Sequence, residues 1–151
     1  MAKMHSRRKG KSGSSRPLVN ENPTWVPLNA TDIEGIVEKM AKDGVGSARI
    51  GLVLRDQYGV PDVKLATGKT VSDIMKEKGA YSALPEDLSN LMRRAIALNA
   101  HLKDNPRDIA NKRGLALIEA KIRRLERYYK GNGTLPSNWK YSLKAAELML
   151  K

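Results

Sequence analysis

The sequence predicts an all-α fold: a long antiparallel helix hairpin, a small N-terminal three-helix subdomain, and a basic N-terminal arm that is disordered when free. Three observations carry this. Apolar residues between Leu84 and Lys130 recur at three- and four-residue steps, the period of a helix with one buried face. Gly, Pro and Asn clusters punctuate the chain where such runs end. The sequence has no Phe and is only 5% aromatic, so its core is built from Leu, Ile, Val, Ala and Met between helices.

Taken in order, residues 1–22 form the arm. Residues 1–16 carry six Lys or Arg and no acid, among them Arg7, Arg8, Lys9, Lys11 and Arg16, and have almost nothing to bury. Such an arm can order against nucleic acid; it can also be a linker or a targeting tail. Residues 23–79 make the small helical subdomain. Pro23-Thr24-Trp25-Val26-Pro27 is an extended strap, because a residue before proline avoids the helical region. Trp25 is expected to anchor it. Asn29 or Thr31 starts a helix to about Lys42, burying Ile33, Ile36, Val37 and Met40. After the Asp43-Gly44-Val45-Gly46 turn, Ser47 is expected to cap a helix from Ala48 to about Tyr58. The stretch from Asp62 to Gly68 alternates weakly and reads as a short hairpin or irregular loop. Thr70 or Ser72 then opens a third helix, Val71 to Lys78.

Residues 80–151 hold the hairpin, a C-terminal strap and a short helix. In the first long helix Leu88, Leu91, Met92, Ala95, Leu98 and Leu102 share one arc, and in the second Leu115, Ile118, Ile122, Leu125 and Tyr129 do. Between them lies Asp104-Asn105-Pro106-Arg107-Asp108. Pro106 suits a first helical position, Asn105 an N-cap, and Asp108 the third position, where an acid reaches back. Past Gly131-Asn132-Gly133 comes a second tryptophan strap, Leu135 to Tyr141, and Ser142 caps a helix from Leu143 to Leu150.

Function is bounded first by what is missing. With no cysteine there is no disulfide framework or thiolate metal site, and His5 and His101 belong to no cluster that would hold zinc. No cofactor is expected. No apolar run is long enough to span a membrane, and the basic N-terminus has no apolar segment behind it, so a soluble intracellular protein is expected. Thr67-Gly68-Lys69-Thr70 resembles the end of a phosphate loop, but Val63 stands where its first glycine belongs. No nucleophile with its base is recognisable, so no enzyme is expected.

The net charge of +12 is segregated. Residues 17–84 carry eight bases and nine acids, residues 85–130 eleven bases and six acids. The excess therefore sits in the arm and the hairpin, which favours a polyanionic partner. Within the hairpin Asp87, Arg94 and His101 lie seven apart along one edge. Arg113, Leu117, Lys121, Arg124 and Tyr128 flank the second helix. Cations interrupted by a phenol suit a sugar-phosphate backbone with a ring packing on sugar or base; they also suit a merely solvated face. Gly114 inside that helix costs roughly 1 kcal/mol against alanine, so the neighbouring helix or a ligand is expected to approach it closely. Ser47 to Gly51 and Tyr58-Gly59-Val60 resemble a helix-turn-helix pattern, so the alternative is a DNA-binding protein with a basic arm.

Several separate motifs agree in order and spacing with one family. His101-Leu102-Lys103, Asp108, Asn111-Lys112-Arg113-Gly114-Leu115, Ile122-Arg123-Arg124-Leu125 and Tyr128-Tyr129 resemble the fifteenth-protein family of the small ribosomal subunit. Met4 to Arg8, Pro23-Thr24-Trp25, Ile50 to Asp56 and Leu135 to Tyr141 resemble its longer archaeal and eukaryotic form. The resemblance implies a structural, non-enzymatic ribonucleoprotein component acting in translation and subunit assembly, cytoplasmic within the ribosome and present in one copy without homo-oligomers or membrane contact. It implies small-subunit ribosomal RNA and other small-subunit proteins as partners, and brings contact with the large subunit into view. It also implies two RNA sites. His101, Asp108 and Asn111 belong to a loop site reading a G·U/G·C element in a minor groove, with Arg113 and Gly114 beside them. Arg94, Arg124 and Tyr128 belong to a three-way-junction site. This sequence departs from the bacterial pattern at Asn111 (commonly Ser), Asn105 (often His), Tyr81-Ser82 (Thr-Gly) and Asp87 (usually Gln).

Overall fold

The computed structural model describes residues 18–82 and 84–150. Among them the fold is all-helical, with seven helices: α1 Ala30–Lys42, α2 Ser47–Asp56, α3 Val63–Thr67, α4 Val71–Glu77, α5 Glu86–Asp104, α6 Ile109–Gly131 and α7 Leu143–Met149. The arm residues Arg7, Arg8, Lys9, Lys11 and Arg16 lie outside the described residues. The chain divides into two compact units between residues 83 and 84.

The N-terminal unit encloses a core of Ile33, Val37 and Ala41 from α1, Ile50 and Leu54 from α2, Val60, Val63 from α3, and Ile74 and Met75 from α4. Asn29 and Asp32 form a reciprocal capping box that starts α1, and Thr70 and Asp73 form another that starts α4. Three local expectations change. The N-cap of α2 is Gly46, so Ser47 is already its first residue. The segment after Asp62 is a helix rather than a hairpin or loop, so this unit has four helices, the three expected and α3. Its cause is local: the Asp62 carboxylate accepts from the Lys64 and Leu65 amides, and Gly68, at φ 77°, ends the helix in the left-handed region. Trp25 is 65% exposed, so it does not anchor the strap; Val26 and Leu28, packed on the core, do.

The second unit is the hairpin with its C-terminal additions. Leu88, Met92 and Ala95 of α5 close on Ile122 and Leu125 of α6, while Leu135 and Ala146 complete the same cluster. Trp139 and Tyr141 of the second strap pack against it. Two acids in the first turn of α5, Glu86 and Asp87, complement the partial positive charge of the helix N-terminus. Ser142 caps α7, its hydroxyl oxygen accepting from the Ala145 amide at 3.1 Å.

The turn between α5 and α6 differs from the sequence expectation. Pro106 does not open α6 and Asn105 does not cap it. The helix starts at Ile109 with Asp108 itself as N-cap, its carboxylate accepting from the Asn111 amide at 2.9 Å. Asn105 instead ends α5, donating its backbone N–H to the His101 carbonyl at 2.9 Å. A carboxylate at the N-cap takes a charge-assisted bond from a free amide, which a proline at the first position cannot replace.

Candidate nucleic-acid interface

The hairpin carries chemistry at both ends. Asp108, the first residue after the turn, and Tyr128, near the end of α6, are separated by about 30 Å of helix. At the turn end, four side chains form one hydrogen-bonded cluster. Asp108 Oδ1 accepts from the Asn111 backbone amide at 2.9 Å, and Oδ2 accepts from Asn111 Nδ2 at 2.6 Å. His101 Nε2 lies 3.1 Å from Oδ2. Asn105 Nδ2 donates to the His101 carbonyl at 3.1 Å and lies 3.3 Å from His101 Nδ1.

These contacts assign the hydrogens. A carbonyl oxygen only accepts, so the Asn105 atom facing the His101 carbonyl is its amide nitrogen. That nitrogen also donates to Nδ1, which therefore carries no hydrogen, and Nε2–H points at Asp108. Both ring nitrogens of His101 are thus engaged within the protein. The same reasoning turns Asn111 Nδ2 toward Asp108 and leaves Asn111 Oδ1 as an acceptor. What the cluster retains is the second lone pair of Asp108 Oδ1, the side-chain oxygens of Asn105 and Asn111, and the second N–H of Asn111 Nδ2. Acceptors outnumber donors, so such a site favours donor groups on its ligand.

The same donors hold Asp108 ionised. Its carboxyl lies below the ordinary 3.8, at about 2, chiefly through the Asn111 amide, then the His101 and Asn111 side chains. The cap's contribution to folding is accordingly full above pH 3.8 and lost as pH falls through about 2.

Arg113 and Gly114 sit on the first turns of α6. Gly114 is helical, and a Cβ there would meet Leu98 Cδ2 at 3.6 Å and Asn111 Oδ1 at 3.8 Å, both ordinary contacts. The close helix–helix approach expected at Gly114 is absent; α5 does not require the glycine.

Arg94 on α5 and Arg113, Lys121 and Arg124 along the α6 stripe are exposed and make no ion pair among the described residues. The reason lies in spacing. None of the four has an acid three or four residues away, whereas Arg123 has Glu119 at 3.4 Å and Lys130 has Glu126 at 2.7 Å. Tyr128 is 49% exposed, its ring edge-on to Tyr129 with centroids 5.2 Å apart. Asp87, expected to continue the Arg94–His101 edge, instead bonds Tyr129: the phenol donates to its two oxygens at 2.7 and 2.8 Å.

The structure thus brings His101, Asp108 and Asn111 together, places Arg124 one helical turn before Tyr128, and sets Arg94 on the other helix of the hairpin. Asn105 and Tyr129 belong to these clusters although no sequence motif marks them as site residues. Asn105 was legible in principle, since it stands four residues from His101 beside the turn. Tyr129 was not, because its partner lies 42 residues away.

Comparison with known proteins agrees with this helical architecture. Residues 69–149 match the family described as "Ribosomal protein S15", and residues 1–60 match "Ribosomal S13/S15 N-terminal domain". The chain is 55% identical over 151 residues to small ribosomal subunit protein uS15 of Methanococcus vannielii, covering the whole of both chains. It is 50% identical over 150 residues to proteins of the same name from Methanoculleus marisnigri and Methanoregula boonei, with 99% of each chain covered. The chain belongs to the S15 family of ribosomal proteins, a family of structural proteins and not of enzymes.

Proposed function

We propose that this protein is a structural constituent of the small ribosomal subunit, in the cytoplasm, that binds small-subunit ribosomal RNA at two places and supports assembly alongside other small-subunit proteins. The turn-end cluster reads a minor-groove G·U/G·C element, and Arg94, Arg124 and Tyr128 grip a three-way junction. The observation that carries this reading is the acceptor-rich cluster of Asp108 and Asn111 in a hairpin whose flanking cations are unneutralised. The RNA minor groove is wide and shallow and presents 2′-hydroxyls, which can donate as well as accept, and the guanine amino group, a donor. The unpaired arginines can replace phosphate counterions without first breaking a protein ion pair. Residues 1–22, 23–79 and 80–151 then act as a charged arm, a helical subdomain and the RNA-binding hairpin with its strap.

The test is binding of the full chain to a small-subunit RNA fragment carrying both elements, against duplex DNA of equal length at equal salt. The RNA is expected to bind more tightly. Removing residues 2–16 is expected to weaken matched and mismatched RNAs alike and to flatten the salt dependence, because residues 1–16 carry six Lys or Arg and no acid and so add charge for any phosphate backbone. Equal affinity for duplex DNA would sink the reading and favour the helix-turn-helix alternative.

Gly114→Ala gives a second expectation. Space exists for the methyl group, and alanine is the better helix former, so the free protein gains about 0.5–1 kcal/mol. If an RNA backbone approaches α6 there, the same variant binds the loop element more weakly although it melts higher. Paired melting and affinity measurements separate the two, and unchanged affinity would remove Gly114 from the site.

A further inference from the structure

We propose that Tyr129 is a positioning residue for the junction end of the hairpin, acting through Asp87 and Tyr128; this rests on the function argued above. The phenol of Tyr129 shares its hydrogen between both carboxylate oxygens of Asp87, at 2.7 and 2.8 Å. Asp87 Oδ1 also accepts the Leu88 backbone amide at 2.7 Å, so the carboxylate is held by the first turn of α5 as well. An O–H donor to an ionised carboxylate makes a strong bond of its class. It ties the start of α5 to the last turns of α6 across 42 residues of chain.

The tie has two consequences for RNA. Tyr129 packs against the hairpin core, and its ring meets Tyr128 edge-on at 5.2 Å with the planes at 67°. Successive helical side chains diverge by about 100°, so a pinned Tyr129 offers Tyr128 a fixed wall on one side. Tyr128 is 49% exposed, and a ring already held in place loses less freedom when it packs on RNA. The second consequence concerns charge. Asp87 stands where the resemblance places a neutral glutamine, and a loose carboxylate beside phosphates would repel them. Engaged by Tyr129, it serves as an internal anchor and not as an RNA contact. Neither role can be filled by Phe, which keeps the ring and loses the donor.

The experiment uses the full chain with Tyr129→Phe and with Asp87→Asn. Each is titrated with a three-way-junction RNA and with a separate RNA carrying only the G·U/G·C element. Melting is recorded alongside, together with the flip rate of the Tyr128 ring from aromatic carbon relaxation in the free protein. Tyr129→Phe is expected to bind the junction about three- to tenfold more weakly, leave the other RNA unchanged, and speed the Tyr128 ring. Asp87→Asn keeps an acceptor oxygen and is expected to bind the junction at least as well as the parent. Junction affinity of Tyr129→Phe equal to the parent's overturns the proposal. So does a lower melting temperature with affinity unchanged, which would make the tie purely structural. If the parent itself ignores junction RNA, the proposed function fails, and a Tyr128 ring unaffected by Tyr129→Phe then overturns the tie as well.

Discussion

Asp108→Ala is expected to bind an RNA with the intact G·U pair about ten- to a hundredfold more weakly and to lose its preference over an A·U replacement. Asp108 is the hub of the turn-end cluster, taking hydrogen bonds from Asn111 twice and from His101 once. Removing it takes away an acceptor left for RNA and releases Asn111, which Asp108 holds. The complication is that Asp108 also caps α6, so lost recognition and a frayed helix could resemble each other. Asp108→Asn separates them: asparagine still caps and still accepts, while the charge is gone. Circular dichroism reports the helix, and titration with the G·U and A·U RNAs reports recognition. A folded Asp108→Ala variant that still discriminates between them would reduce Asp108 to a cap.

Ile122→Ala carries the largest expected cost in stability, about 2–5 kcal/mol. Ile122 is fully buried in the cluster that α5, α6, the second strap and α7 share. The cluster has no phenylalanine to lend bulk, so a lost isoleucine leaves a cavity that Leu, Ala and Met must close. Urea denaturation measures the loss. Lys121→Ala, one residue earlier on an exposed position, is the control and is expected to stay within about 0.5 kcal/mol of the parent. A cost below about 1 kcal/mol at Ile122 would mean that the hairpin repacks freely and that its register is held by something else.

Much of the candidate site was readable because helices repeat themselves every few residues. Of the six residues that spacing places on the apolar arc of α5, the structure buries Leu88, Met92 and Ala95 and leaves Leu91, Leu98 and Leu102 half-buried. The absence of acids three or four residues from Arg94, Arg113, Lys121 and Arg124 is likewise a property of the string. Asp108 and Asn111 sit one turn apart, so their joining needs nothing beyond a helix start. The failures also have local causes. Asp62 to Gly68 is too short to show a period, so its cap and its closing glycine were the informative residues. At the hairpin turn, Pro106 and Asp108 both offered a helix start, and spacing does not rank a preset φ against a charge-assisted cap.

By itself the sequence determined that this chain is helical, that its hairpin has one apolar and one cationic side, and that its hydrogen-bonding residues collect at the turn. Those features arise from contacts within one helical turn, whose geometry is the same in every helix. Only the tertiary structure decided that Asp87 is spoken for by Tyr129, that Trp25 stands exposed while Val26 and Leu28 hold the strap, and that Gly114 is not demanded by α5. Each of these depends on the crossing and register of segments far apart in the chain. Burial of many side chains at once sets that register, and no single interval in the sequence encodes it.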